Sequence, residues 1–430
     1  MALAMFLVLF ILLFLEVPII YAIGISALVG IYFSGIGTFN LIAHAAANSL
    51  NSFPLLAVPF FILAGSIMST STMAQRLINV GKVLMGNKPG SLANITVFAC
   101  AFFAALSGSG PATTAAIGGI MIPAMIKDGY RPSFATSVAC AGGILGPVIP
   151  PSISFIIYGV SANESIADLF IAGIIPGILM VIAMLVVIRL NMRRWGGEVT
   201  IAAQEHRTAA AKMKAVWEAK WALLMPIIVL GGIYAGVVTP TEAAVVAVLY
   251  SLVVSLFIQK DLKFKGFVET FRKSVIVCGS ILLIVVTATA FGNIMALYQV
   301  PVTVADAVSQ VTTSPILVLL LVNIFLLVVG CFMETIAAIL ILTPILLPIV
   351  EAAGMSKLAF GVVMNVSLMI GQLTPPLGVS LFVALTISKL SIRQVAKYLY
   401  QFIFFLLVPL FLLTYFPQIS EFLPRLLSGK

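Results

Sequence analysis

The sequence predicts an all-α polytopic membrane protein built from two halves of one plan, each carrying a re-entrant hairpin and a Pro-Pro-broken helix. Three observations predict it: an apolar composition, a one-sided distribution of basic residues, and a repeat offset by 225 residues. Hydrophobic residues make up 62% of the 430 and charged residues 9%. Soluble domains carry about 25% charged residues. A soluble fold cannot hide that much apolar surface, so the solvent is lipid. The net charge of +9 is explained by its location and does not point to nucleic acid.

A spanning helix needs about 20 apolar residues. In chain order the candidate spans and half-spans are 2–15, 17–34, 53–70, 133–160, 168–190, 222–238, 243–259, 275–298, 358–388 and 399–416. The first lacks the basic start of a signal peptide and is expected to be a retained span. Residues 35–52, which include His44 but no Lys or Arg, read as an amphipathic surface helix. Residues 92–126 and 314–351 differ: each is two apolar arms, joined at Ser107-Gly108-Ser109-Gly110-Pro111 and near Gly330-Cys331-Phe332-Met333-Glu334-Thr335. An arm of about 15 residues reaches about 23 Å, short of a hydrocarbon core of about 30 Å. Such arms are expected to enter and leave by one face.

Lys and Arg mark the cytoplasmic side. With two re-entrant hairpins, 20 of the 23 Lys and Arg fall on one side, leaving only Lys357, Arg425 and Lys430 on the other. Were either hairpin a single crossing, basic loops would land on both sides. The N-terminus, 35–52 and the C-terminus are therefore expected outside and 189–220 in the cytoplasm. Trp195, Trp217 and Trp221 flank that basic stretch as interfacial anchors. Glu16 and Glu242 read as helix caps near the membrane surface. The four cysteines, Cys100, Cys140, Cys278 and Cys331, show no metal-ligand spacing.

Shifted by 225 residues, Pro123 meets Pro348, Gly129 meets Gly354, Gly146 meets Gly371, and Pro150-Pro151 meets Pro375-Pro376. The shift carries the loop at Glu16-Val17-Pro18, expected inside, onto that at Thr239-Pro240-Thr241-Glu242, expected outside. The repeats are thus expected to be inverted, the mark of a transporter that alternates access about a midplane site. The expected division is 1–190, a cytoplasmic basic linker at 191–221, and 222–430.

Each half supplies one hairpin tip and one break, Gly146-Pro147-Val148-Ile149-Pro150-Pro151 and Gly371-Gln372-Leu373-Thr374-Pro375-Pro376. Proline removes a backbone donor and frees a carbonyl one turn back. Within a membrane, unwound backbone is tolerated where it lines a cavity or packs on protein. Freed carbonyls hold a cation and half-helix N-termini hold an anion. No Lys or Arg falls near midplane, so an anion must be held by amide dipoles, hydroxyls, bound cations or an external group. Proton relays use intramembrane Asp, Glu or His. Only Glu334 offers itself, as cation ligand, proton carrier or helix cap, so Na⁺ is the expected coupling ion. The expected cation ligands are Ser107, Gly108, Ser109 and Gly110 with Gly146, Pro147 and Pro150, and Gly330, Met333, Glu334 and Thr335 with Gln372, Thr374 and Pro375. The expected substrate contacts are Ser109, Thr113, Thr114, Pro151, Ser152, Ser154, Thr335, Thr374, Pro376 and Gly378. Without a Walker motif the chain is not itself an ATPase, and without a deep His, Asp and Glu cluster it is not expected to be an enzyme.

The motifs Ser107-Gly108-Ser109-Gly110-Pro111-Ala112-Thr113-Thr114, Gly146-Pro147-Val148-Ile149-Pro150-Pro151-Ser152, Thr239-Pro240-Thr241-Glu242-Ala243-Ala244 and Leu373-Thr374-Pro375-Pro376-Leu377-Gly378 resemble the large membrane subunit of the tripartite ATP-independent periplasmic (TRAP) transporters. The resemblance covers essentially the whole chain. It implies a bacterial or archaeal inner-membrane protein, a separate small four-helix membrane subunit and a periplasmic substrate-binding protein. It also implies an elevator-type transport domain on a scaffold, Na⁺ coupling, and carboxylate substrates such as C4-dicarboxylates, sialic acids and other sugar acids. The family often has Asp at the second tip, where this chain has Glu334. The alternative is a self-sufficient anion symporter of related fold, with H⁺ coupling through Glu334.

Overall fold

Lipid cannot hydrogen-bond a backbone, so a chain this apolar must satisfy its own amides, and helices do so within one segment. The computed structural model describes residues 2–34, 39–85, 90–195, 209–375 and 378–428. Every regular element among them is helical, and eight helical stretches are long and apolar enough to cross a membrane. The first half comprises α1 (Ala2–Phe14), α2 (Ile19–Ser34), α3 (Phe39–Leu50), a 3₁₀ turn (Phe53–Leu56), α4 (Ala57–Thr70), α5 (Met73–Met85), α6 (Ser91–Ser107), α7 (Gly110–Lys127), α8 (Pro132–Gly143), α9 (Ile153–Ala162), α10 (Ile166–Ala172) and α11 (Ile174–Trp195). The second comprises α12 (Ala209–Tyr234), α13 (Pro240–Leu252), a π-helical segment (Val253–Ile258), α14 (Phe264–Leu297), α15 (Val300–Val311), α16 (Pro315–Phe332), α17 (Thr335–Ala352), α18 (Lys357–Gly371), α19 (Val379–Ser388), α20 (Ile392–Tyr415) and α21 (Gln418–Ser428).

Helix boundaries keep the 225-residue register. Shifting α6, α7 and α9 gives 316–332, 335–352 and 378–387, against the observed α16, α17 and α19 at 315–332, 335–352 and 379–388. The same shift puts α3 and α4 on the two ends of α14, a single helix of 34 residues. Pro54 supplies the difference: it sits where the second half has Gly279, and its ring cannot continue the α3 ladder. Packing exchanges elements between halves. α2 lies on α14 and α13 on α4; α9 lies on α17 and α19 on α7.

Several expectations change. α12 begins at Ala209, so Lys212, Lys214 and Lys220 ride on a helix within the expected linker, and Lys265, Arg272 and Lys273 ride on α14. Long basic side chains cover apolar surface with their stems while the charged heads stay wet, which lets a helix run past its apolar core. Lys220 Nζ stands 3.6 Å from the Trp217 ring centroid. Arg207, Lys88, Lys430 and Pro376 lie outside the described residues, as does the side chain of Trp195. The span expected at 168–190 is two helices divided at Gly173, where a Cβ would fall 2.7 Å from the Val148 carbonyl. The hairpin arms have 17 or 18 residues, about 26 Å at about 1.5 Å per residue. Arm length therefore no longer separates a re-entrant arm from a short span, and the re-entrant reading rests on charge. The connecting helices α5 and α15 and the terminal α21 lie outside all expected spans. α21 is tied to the start of α18 by a hydrogen bond between Ser356 and Glu421. Glu242 caps α13 in a capping box with Thr239. Glu16 instead takes a left-handed conformation, φ 59°, just past α1.

Candidate functional site

A cavity of about 460 Å³ lies where both hairpin tips and both breaks meet. The first tip gives it Ser107 to Ala112, the second Glu334, Thr335 and Ile336. The first break and the helix after it give Pro147, Ile153 and Ser154; the second give Gln372 and Val379. The opposite wall is α4 and α14, with Gly65, Ser66, Ser69 and Ser280 among its residues. Among the described residues, Glu334 is the one charged residue lining it.

The first tip turns at Gly108, whose φ of 58° favours glycine. A side chain there would meet the Pro151 carbonyl at 3.0 Å. The Ser107 and Thr113 hydroxyls are 2.8 Å apart, and Thr113 Oγ1 donates to the Ser109 carbonyl at 2.8 Å. Thr114 Oγ1 donates to the Gly110 carbonyl at 3.0 Å. The N-cap residue of α7, Ser109, makes no side-chain cap bond to it, so its positive dipole end is left for the cavity. The second tip is chemically different. Glu334 Oε2 accepts from the amides of Ile336 at 2.9 Å and Ala337 at 3.3 Å, capping α17 with a carboxylate.

Each tip sits on the break of its own half. A Cβ on Gly146 would lie 2.5 Å from the Ser109 carbonyl carbon and oxygen, so bare backbone meets bare backbone there. Gln372 Nε2 donates to Thr335 Oγ1 at 2.6 Å, and α16 and α18 meet so closely that a Cβ on Gly371 would fall 2.8 Å from Gly330 Cα. After the breaks the chain crosses over. A Cβ on Gly110 would fall 3.0 Å from Ser380 Oγ, a second-half residue against the first tip. In return, Asn365 Nδ2 of α18 donates to the Pro147 carbonyl at 2.6 Å.

That carbonyl also accepts from the hydroxyls of Ser152 and Ser154. The unwound carbonyl expected to be freed for a cation at Pro147 therefore holds three donors. Ser152 also caps α9, accepting from Phe155 N at 3.3 Å. Of the expected residues, Ser107, Gly108, Ser109, Gly110, Pro147, Ser154, Glu334, Thr335 and Gln372 line the cavity. Gly146, Thr113, Thr114, Pro150, Pro151, Ser152, Gly330, Thr374, Pro375 and Gly378 are not among the residues lining it. Met333 lines a second, apolar cavity. Asn365, Ser380 and the α4–α14 wall were not anticipated. Asn365 carried a signal, as a lone amide in an apolar run; Ser380 did not.

Residues present fit a hard cation. Among the described residues, Asn365 Oδ1, Gln372 Oε1 and Ser380 Oγ are buried without a hydrogen-bond partner. A buried oxygen left unpaired is costly, and carbonyl and hydroxyl oxygens are the donors that hard cations take.

The arrangement is that of a polytopic membrane transporter. Its fold is similar to a solved structure, the YdaH transporter of Alcanivorax borkumensis, with a TM-score of 0.59 over 88% of this chain and 87% of that one at 15% identity. The family model described as "Tripartite ATP-independent periplasmic transporter, DctM component" matches residues 6–419, and the chain belongs to that family. It is 44% identical to the isethionate TRAP transporter permease protein DctMQ of Oleidesulfovibrio alaskensis, over 94% of this chain and 64% of that one. The chain thus spans less than two thirds of that relative. It is 37% identical to the C4-dicarboxylate TRAP transporter large permease protein DctM of Pseudomonas aeruginosa, over 95% and 94%. It is 36% identical to the sialic acid TRAP transporter permease protein SiaT of Haemophilus influenzae, over 97% and 67%. These relatives are named as permeases, not enzymes. By family, large permease subunits work with a small permease subunit and a periplasmic binding protein.

Proposed function

We propose that this chain is the transport subunit of a Na⁺-coupled importer that takes a small organic acid from a periplasmic binding protein and carries it across the bacterial inner membrane. The observation that carries the reading is the cavity shared by both tips and both breaks, lined among the described residues by one carboxylate and no cationic side chain. The organic acid is a carboxylate of the C4-dicarboxylate or sugar-acid kind, or a sulfonate such as isethionate, following the names of the relatives.

The uncapped N-terminus of α7 draws the anionic end of the substrate, with the Ser107 and Ser109 hydroxyls beside it. Glu334 and the unpaired oxygens of Asn365, Gln372 and Ser380 favour positive charge. A Na⁺ ion bound there supplies the charge that offsets the substrate anion. The hairpins and broken helices of inverted repeats move as one body against the α4–α14 wall, exposing the cavity to each side in turn. A four-helix small subunit completes the scaffold, and both termini of the chain are periplasmic. The self-sufficient symporter is disfavoured, because the matched relatives are TRAP permeases.

The test is uptake by proteoliposomes holding this chain, its small subunit and its binding protein, with Na⁺ and pH gradients imposed separately. Uptake is expected under the Na⁺ gradient alone. Uptake driven by pH in Na⁺-free buffer, and lost in Glu334→Gln, would make Glu334 a proton carrier instead.

A further inference from the structure

We propose that the second cavity, between the second hairpin, α1 and α15, binds one acyl chain of a membrane phospholipid. It measures about 400 Å³ and every described residue lining it is apolar. A buried water needs two to four polar partners, so this space does not hold water. It is well over twice the size of an apolar cavity of about 150 Å³ that takes benzene. Its occupant is therefore hydrocarbon.

The cavity is a slot between α1, α15 and the two arms of the second hairpin, which a slender hydrocarbon chain enters more readily than a helix about 10 Å wide. One edge is open: Phe10 of α1 and Leu321 and Phe325 of α16 line the cavity and are 40%, 43% and 42% exposed. That edge continues the exposed apolar row of α16 at Leu317 and Val328, the face of a membrane helix that lies against lipid. The inner end is closed, with Met333 and Ile345 at 5% and 4% exposed. A chain entering from the lipid face would end against Met333, next to Glu334.

The first half shows what happens without such an occupant. There the connecting helix α5 packs directly on hairpin arm α6. Gly81 permits it, since a Cβ on Gly81 would fall 2.8 Å from the Ile95 side chain. The 225-residue shift places Asp306 of α15 at the position of Gly81, and Asp306 is exposed. α15 packs on α14 and α17 instead, and the cavity lies under it. The two connecting helices share a place in the register but little sequence, and the space lies where α5 closes on its hairpin arm and α15 does not.

The proposal concerns the occupant of this cavity and holds whichever acid or ion the protein carries. It is tested in the complex with the small subunit, reconstituted in vesicles of phosphatidylethanolamine and phosphatidylglycerol with mid-chain brominated acyl chains. Trp195, Trp217 and Trp221 are first replaced by Phe. Three single-tryptophan variants are then compared: Ile345→Trp deep in the cavity, Phe404→Trp on the exposed face of α20, and Phe360→Trp in the closed core. Quenching of Ile345→Trp is expected to reach at least half that of Phe404→Trp, with Phe360→Trp unquenched. If Ile345→Trp fails to fold, Val329→Trp reads the same cavity from α16. A cavity reporter as unquenched as Phe360→Trp, whether protein or nothing covers it, overturns the proposal.

Discussion

The two hairpins have matching lengths and matching positions in the register, yet their tips dock by different means. The first tip is neutral and lies bare backbone on bare backbone, Ser109 against Gly146. The second is acidic, ends in a carboxylate cap at Glu334, and is held by the side-chain bond from Gln372 to Thr335. Gly371, the counterpart of Gly146, faces the arm at Gly330 and Leu327. The difference teaches that one backbone plan can present opposite electrostatics: an uncapped helix end on one side of the cavity and a carboxylate on the other. That is the polarity needed to hold an anion and a cation together without Lys or Arg.

Glycine docking makes the sharpest demand. Gly146→Ala puts a methyl group 2.5 Å from the Ser109 carbonyl, and overpacking of this kind costs about 3 kcal/mol at the upper end. Reconstituted uptake should be lost and the midpoint of thermal unfolding in detergent should fall. Gly231→Ala, with nothing within 4 Å of its Cβ, should leave uptake intact and should not lower the midpoint, since Ala is the better helix former. Equal effects would mean that the first tip does not dock on Gly146.

The second tip should give way through a hydrogen bond. Gln372→Leu leaves the buried Thr335 hydroxyl without the amide that donates to it, at a cost of about 2 kcal/mol. Unfolding in detergent should show that loss. Thr335→Val combined with Gln372→Leu should cost less than the two singles added together, because they remove the same bond. Full additivity would remove the bond from the account of how this tip is held.

How much of this was legible in the sequence depends on the kind of residue. The tips and breaks were, because Gly and Pro act on the backbone where they stand: Gly108 turns the first tip and Pro147 to Pro151 unwinds the first break. The long apolar runs were, because lipid demands them. α5, α15 and α21 were missed because they are short and amphipathic, and a search for long apolar runs passes over them. The starts of α12 and α14 were missed because Lys212 and Lys265 resemble loop residues until a helix lets them snorkel. Cross-half pairings were out of reach: no local pattern says that Ser380 approaches Gly110, or that Asn365 reaches the Pro147 carbonyl.

A smaller effect separates the two helix caps. Glu334→Ala removes a side chain that accepts two amides of α17, worth about 1 kcal/mol as a cap. Ser109 caps nothing on α7, so Ser109→Ala should cost less than about 0.5 kcal/mol. Thermal unfolding in Na⁺-free buffer measures both. If Ser109→Ala is the more destabilising, the α7 terminus is not open to the cavity, and the opposed electrostatics of the tips fail.

The smallest expected effect on stability is also the most specific for the cation. Ser380 Oγ is buried beside the first tip with no hydrogen-bond partner among the described residues. Replacing an unsatisfied polar group by an apolar one of similar shape is nearly neutral or stabilising. Ser380→Ala should therefore leave the unfolding midpoint in Na⁺-free buffer unchanged or slightly raised. If the oxygen serves a cation, the same variant should need several-fold more Na⁺ for half-maximal uptake. Ligand binding stabilises the folded state in proportion to the logarithm of its concentration over its Kd. The Na⁺-dependent rise in melting temperature should thus shift to higher Na⁺ by the same factor. A purely structural Ser380 predicts the reverse pair: a changed midpoint without Na⁺ and an unchanged Na⁺ requirement. Uptake and unfolding titrations on one preparation decide between them, because only a cation ligand separates the two readouts.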